Sequence, residues 1–296
     1  MECDLIVYSW ETNYEENVST GVLSLKENYR GQIKIEQTTK QTYLGFVISS
    51  AGDTMANIDQ IKKKSIGVIR KIFNRLNSLN LQKNYFECAM ILLNAILRPS
   101  ILYACDVYYK LKERELREIE RIEENFLRKV LKTTKGCPIV QLYLELGHNP
   151  ARLEIQKTRL LYLQYILQQE ADSTILKFFN LQLDYPTRGD WAATCVQDLK
   201  DLNISESFEE IKLMSKRKFT KLLKERSRMN ALTYLTGKQR TKGKDITYDN
   251  LEMSEYLLPS NSVLRVEEKR TLFEFKNKMT NIPNNFPKSD IKTTCY

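Results

Sequence analysis

Tyr43-Leu44-Gly45-Phe46-Val47-Ile48-Ser49-Ser50-Ala51-Gly52-Asp53 runs straight into a lysine-rich segment, and this junction decides how the chain reads. The apolar run, closed by Gly52-Asp53, predicts a strand ending in a tight turn. Gly45 within that run has no Cβ, which suits a bulge or the close approach of another backbone or a ligand. From Met55 the spacing of apolar residues becomes helical. It predicts a helix over roughly Met55–Leu79 that carries Lys62, Lys63, Lys64, Arg70, Lys71 and Arg75. A strand that permits close approach, feeding a basic helix, suits a nucleic-acid backbone.

On the N-terminal side, residues 1–42 carry seven acidic residues against four basic ones. Leu5–Tyr8, Gly21–Leu25 and Gln32–Glu36 read as short strands. On the C-terminal side the chain reads as helices. Phe86, Ala89, Met90, Leu93 and Leu97 predict a helix over Lys83–Leu97 that stops at Pro99. Ile101–Tyr109 reads as a further buried helix. Lys112–Leu131 shows an apolar stripe of Leu116, Ile119, Ile122, Phe126 and Val130. Further helices are expected at Ala151–Gln169, Trp191–Leu202, Ser207–Leu235 and Val266–Met279, with Ser207 and Glu210 forming a capping box. The turn formers between Leu183 and Asp190 mark the best internal boundary. Three regions follow from this: 1–53, 54–182 and 183–296.

The 296 residues are 42% hydrophobic, enough for a real core, with only ten glycines and seven prolines, which favours long helices over a turn-rich sandwich. The expected fold is mainly α, with a small N-terminal β element. Net charge is +9, which favours a polyanionic partner. Charge concentrates in Lys212–Lys244, where twelve basic residues face Glu225 alone. Lys216, Arg217, Lys218 and Lys221 open that stretch. No run of 18 apolar residues exists, so no membrane partner is expected. The six cysteines stand singly and His148 is the only histidine. No zinc site can be built from sequence neighbours, and reduced thiols in an intracellular protein are expected. His148 reads as a polar loop residue, Trp191 as a core anchor, and Phe219 and Tyr234 as core rather than stacking platforms.

The order of these segments resembles the reverse transcriptases of non-LTR retrotransposons, in particular the Dong-type group. In that family a "YLG" hairpin at the end of the palm grips the primer and the thumb helices follow. Later segments resemble the family's helical linker: Gly147–Leu163, Gly189–Leu202, Ser207–Lys224 and Leu251–Leu258. The resemblance covers roughly residues 30–296. It implies a palm end in 1–53, a helical thumb and connector in 54–182, and a basic helical linker in 183–296. Cys295 would correspond to the first cysteine of a zinc knuckle. The family's polymerase centre uses a paired-aspartate hairpin upstream of the YLG element. Asp4 is the only aspartate among residues 1–42, so neither catalysis nor a cofactor is expected of this chain.

The resemblance implies binding of RNA, an RNA–DNA duplex or DNA. The residues expected to carry it are Tyr43, Leu44, Gly45, Lys62, Lys63, Lys64, Arg70, Lys71, Lys216, Arg217, Lys218 and Lys221. Lys216-Arg217-Lys218 also suits nuclear import, and a nuclear location is expected. Two alternatives stand beside this one. The chain is part of a longer, active RNA-directed DNA polymerase and endonuclease, or it is a helical protein-interaction module reused by its host.

Overall fold

A computed structural model describes residues 39–50, 54–79, 81, 84–107, 111–133, 137–187, 190–240, 251–260 and 264–276. The strands expected before residue 37, the Gly52-Asp53 turn and Cys295 lie outside the described residues. The chain is mainly helical, with a two-stranded antiparallel sheet near its N-terminus followed by helices. It divides into two compact units, residues 1–60 and 61–296.

The first unit holds β1 (Lys40–Tyr43) and β2 (Phe46–Ser49), paired so that Tyr43 faces Phe46. Residues 43–48 are therefore not one strand. Leu44 at φ +47° and Gly45 at φ +84° form the two-residue turn between two strands. Two successive positive φ values match the right-handed twist of a hairpin, and the second explains the glycine. Among the described residues no other part of the chain approaches Gly45, since a Cβ built there meets nothing within 4 Å. Val47 N–H donates to Asn57 Oδ1 at 3.2 Å, tying the hairpin to the start of the next helix.

That helix, α1 (Met55–Ser78), has the predicted extent. In the second unit its Phe73 ring packs 5.2 Å from Phe126 of α4 (Glu113–Leu131). Helix α4 buries Ile119, Ile122, Phe126 and Val130 of its predicted stripe, while Leu116 is only half-buried.

The expected stop at Pro99 does not occur. Helix α2 (Tyr85–Leu92) passes through a π-helical segment, Leu93–Leu97, into α3 (Arg98–Ile101). In an α-helix the proline ring would collide with the carbonyl four residues back. The wider π turn, in which Arg98 N–H reaches Leu93 O, makes room. The Ser100 hydroxyl donates to Ile96 O at 2.9 Å, giving one carbonyl of the disturbed turn a partner. Among the described residues no long buried helix follows. A 3-10 turn spans Cys105–Val107, and Tyr103 is half-exposed.

Helix α5 (Ile139–Glu145) leads to α6 (Ala151–Leu167), which packs against α4, α7 (Thr174–Asp184), α8 (Trp191–Asp201) and α9 (Phe208–Leu213). It also packs against α10 (Lys216–Arg240). Helix α7 has no counterpart in the sequence reading. The turn formers at 183–190 join α7 to α8, whose side chains meet through Phe179 and Trp191. Trp191 also donates to Asp106 O at 2.7 Å.

The helix expected over Ser207–Leu235 is two helices. The Ser207–Glu210 capping box starts α9, as predicted. Met214 is extended at ψ 141° and breaks it. Gln164 of α6 donates to both Ile211 O and Met214 O, satisfying carbonyls that the break exposes. The last helix, α11 (Val266–Lys276), is held to the C-terminus of α4 by Arg270, which donates to Val130 O at 2.9 Å. A cation there also complements the helix dipole.

Candidate nucleic-acid interface

The predicted residues fall into three groups. Tyr43 and Leu44 are 58% and 74% exposed at the hairpin tip, beside Gly45, in the first unit. The other two groups lie in the second unit, on α1 and α10.

Helix α1 buries Ile61, Ser65, Ile69, Ile72 and Leu76. Its opposite face carries Lys63, Lys64, Arg70, Lys71 and Arg75, all exposed, with exposed Gly67 among them. Among the described residues none of these five cations has an ion-pair partner. Lys62 is different. It turns toward α4 and pairs with Glu118, so it serves the fold before any ligand.

Helix α10 buries Phe219, Leu223, Ser227, Ala231 and Leu235. Lys216, Arg217, Lys218 and Lys221 are exposed on its first turns. Lys221 lies 3.8 Å from Glu225, a pair too open to neutralise it. Phe219 is fully buried, and the Tyr234 ring lies under the Arg152 guanidinium at 5.2 Å. Phe219 agrees with the reading as core, and Tyr234 is half-buried against the core. Helix α1 packs on α4 and α10 on α5 and α6, so the two basic sets belong to separate packing partners.

Several carboxylates of α4 and α6 are turned inward, while acidic residues elsewhere, such as Asp59, Glu87, Glu209 and Glu255, are exposed. Glu120 and Glu113 of α4 hold Arg152 at 2.6 and 3.1 Å. Glu123 is fully buried and accepts from Arg98 Nε at 2.8 Å. His148 Nε2 lies 3.8 Å from the same carboxylate, and Arg98 Nη1 lies 3.5 Å from Glu154. His148 lies in the loop between α5 and α6, as read, but the loop is buried there. It is 4% exposed, with its ring stacked on Tyr143. Burial pushes the Glu123 carboxyl up, but Arg98 and His148 overcome this and hold it at about 2. Burial and the Arg98 charge push His148 down from its ordinary value.

Above this network opens a cleft of about 600 Å³. Asn94 of the π segment, Asn149, Thr158 and Lys157 line it, and Lys224 and Arg228 of α10 form its outer rim. Neither Lys224 nor Arg228 was singled out as a site residue from sequence. The available signal was spacing: Arg217, Lys221, Lys224 and Arg228 lie on one helical face.

The close-approach glycine is Gly147, beside this cleft. Its φ is +60°, and a Cβ there would sit 2.3 Å from the backbone of Glu252 and Met253. Leu146 bridges to Met253, and Ser254 N–H donates to Glu145 O at 2.9 Å.

Among the described residues no cluster of three or more His, Cys, Asp or Glu could hold a metal ion, and no helix is long and apolar enough to cross a membrane. Cys88, Cys105, Cys137 and Cys195 are free thiols. No family model, curated protein or solved structure matches the chain.

Proposed function

We propose that this chain is a nucleic-acid-holding segment of Dong-type non-LTR retrotransposon ancestry, binding RNA or an RNA–DNA duplex without catalysing synthesis. The observation that carries the reading is the sorting of charge. Carboxylates of α4 and α6 are engaged by internal cations, whereas the cations of α1 and α10 face outward with few partners. Lys63, Lys64, Arg70, Lys71 and Arg75 on α1, and Lys216, Arg217 and Lys218 on α10, thereby form local basic faces open to a polyanion. The exposed hairpin tip at Tyr43–Leu44 adds an apolar contact point. Ancestry rests on the order of the segments quoted above.

Titration of a labelled RNA–DNA duplex at several salt concentrations tests this. Binding at about 50 mM salt, with log affinity falling about 0.9 per phosphate contact, is expected. Absence of binding at that salt would overturn it. Primer extension with Mg²⁺ by this chain would show the polymerase alternative instead.

A second reading has its own observation. Phe178, Leu181 and Tyr185 are exposed at i, i+3 and i+7 along and just beyond α7. Such a stripe suits a protein partner. A pull-down that survives nuclease treatment and is lost on Phe178→Ser/Leu181→Ser would favour a protein-interaction module.

A further inference from the structure

The cleft between the π segment, α6 and α10 has features that the exposed basic faces lack. Its inner charges are internally balanced: Arg98 is taken by Glu123 and Glu154, and Lys157 by Glu154. Its rim is not balanced. Lys224 and Arg228 stand one helical turn apart, and among the described residues neither has an ion-pair partner. Like charges at this spacing repel by a few tenths of a kcal/mol in isolated helices, so the rim is better satisfied with an anion between them.

The walls narrow the choice of anion. Asn94, Thr158 and Asn149 bring neutral polar groups, and Pro99 and Leu102 add an apolar surface. A volume of about 600 Å³ is too large for a bare phosphate alone and falls in the range of small-molecule sites. Cation, neutral polar and apolar groups in one cleft match phosphate, sugar and base. The π segment that accommodates Pro99 also forms part of the wall. Such segments occur disproportionately at functional sites, and here the segment carries Asn94 into the cleft wall.

We propose that this cleft binds one nucleotide unit, with Lys224 and Arg228 on its phosphate and the base or sugar against Pro99 and Leu102. As a station for a strand it rests on the nucleic-acid reading; a free nucleotide has the same chemistry.

The test uses the full chain, a labelled 12-nucleotide RNA and adenosine 5′-monophosphate. Two variants separate charge from shape: Lys224→Gln/Arg228→Gln, and Asn94→Trp, which fills the cleft without changing charge. Circular dichroism checks that both fold. The double variant is expected to bind RNA on the order of tenfold more weakly, with its salt slope reduced by about 1.4. Asn94→Trp is expected to weaken binding with the slope unchanged. RNA binding unaffected by either variant overturns the cleft and leaves the nucleic-acid reading standing. If the wild type binds no RNA, that reading fails and the nucleotide decides: monophosphate binding lost in the double variant upholds the cleft, and no binding overturns it.

Discussion

Helices α4 and α10 are both long, amphipathic and dense in charge, yet they use charge in opposite ways. Helix α4 carries both signs, and Glu113, Glu118, Glu120 and Glu123 all have cationic partners on other elements. Helix α10 carries Glu225 as its only acid within Lys216–Arg228, and its cations face solvent. Counting charges would rank both as interaction surfaces. Partner assignment separates them: on α4 charge is mortar for the fold, on α10 it is left for something outside.

The sharpest way to break this contrast is Glu123→Ala. It leaves Arg98 in the interior with only the 3.5 Å contact to Glu154 as a carboxylate partner, and loss of one partner of a buried pair costs about 3–5 kcal/mol. Urea unfolding reads this directly; a loss below about 1 kcal/mol would place Glu123 with the surface charges.

Acid probes the same network. Below its ordinary value of 6.5 His148 takes up a proton in the unfolded chain that the folded chain resists, so stability begins to fall there. Glu123 shifts from 4.5 to about 2 on folding, and its contribution disappears as pH drops through that window. That second loss is about 3 kcal/mol by linkage. Unfolding curves that are flat from pH 7 to 4 would contradict this assignment.

Gly147→Ala follows, at about 2–3 kcal/mol, because the added methyl meets backbone at a left-handed position. Gly67→Ala on α1 acts in the other direction. A Cβ there finds open space, so helix propensity adds about 1 kcal/mol of stability. The smallest change is expected from Lys216→Gln/Lys218→Gln on α10. Stability should move within about 0.5 kcal/mol while the salt dependence of nucleic-acid binding flattens. A large stability change here would mean α10 is used as α4 is.

Much of this architecture was legible in the sequence where one local rule dominates. The extent of α1, the apolar stripe of α4 and the Ser207 capping box each follow from spacing alone. The misreadings arise where a distant partner intervenes. Gly45 and Gly147 look alike as letters, but one answers a turn's dihedral demand and the other a crossing chain more than a hundred residues away. The burial of the loop residue His148 is not legible locally because Glu123 and Arg98 lie 25 and 50 positions upstream. The basic candidates on α1 and α10 were found by composition. The cleft escaped notice because it joins the π segment, α6 and α10, which no local window contains.

A π turn amounts to an α-helix holding one surplus residue, and that bears on how the segment at Leu93–Leu97 can change. Deleting a single residue there would restore an α ladder while the residues on either side keep their faces, because the wide turn alone absorbs the surplus. The cost would fall on Pro99, whose ring would again press on a carbonyl. Frame-preserving loss of three nucleotides at this point would thus strain the proline turn yet leave Arg98 facing Glu123, whereas the same loss inside the regular helix α4 would swing everything beyond it by about 100°.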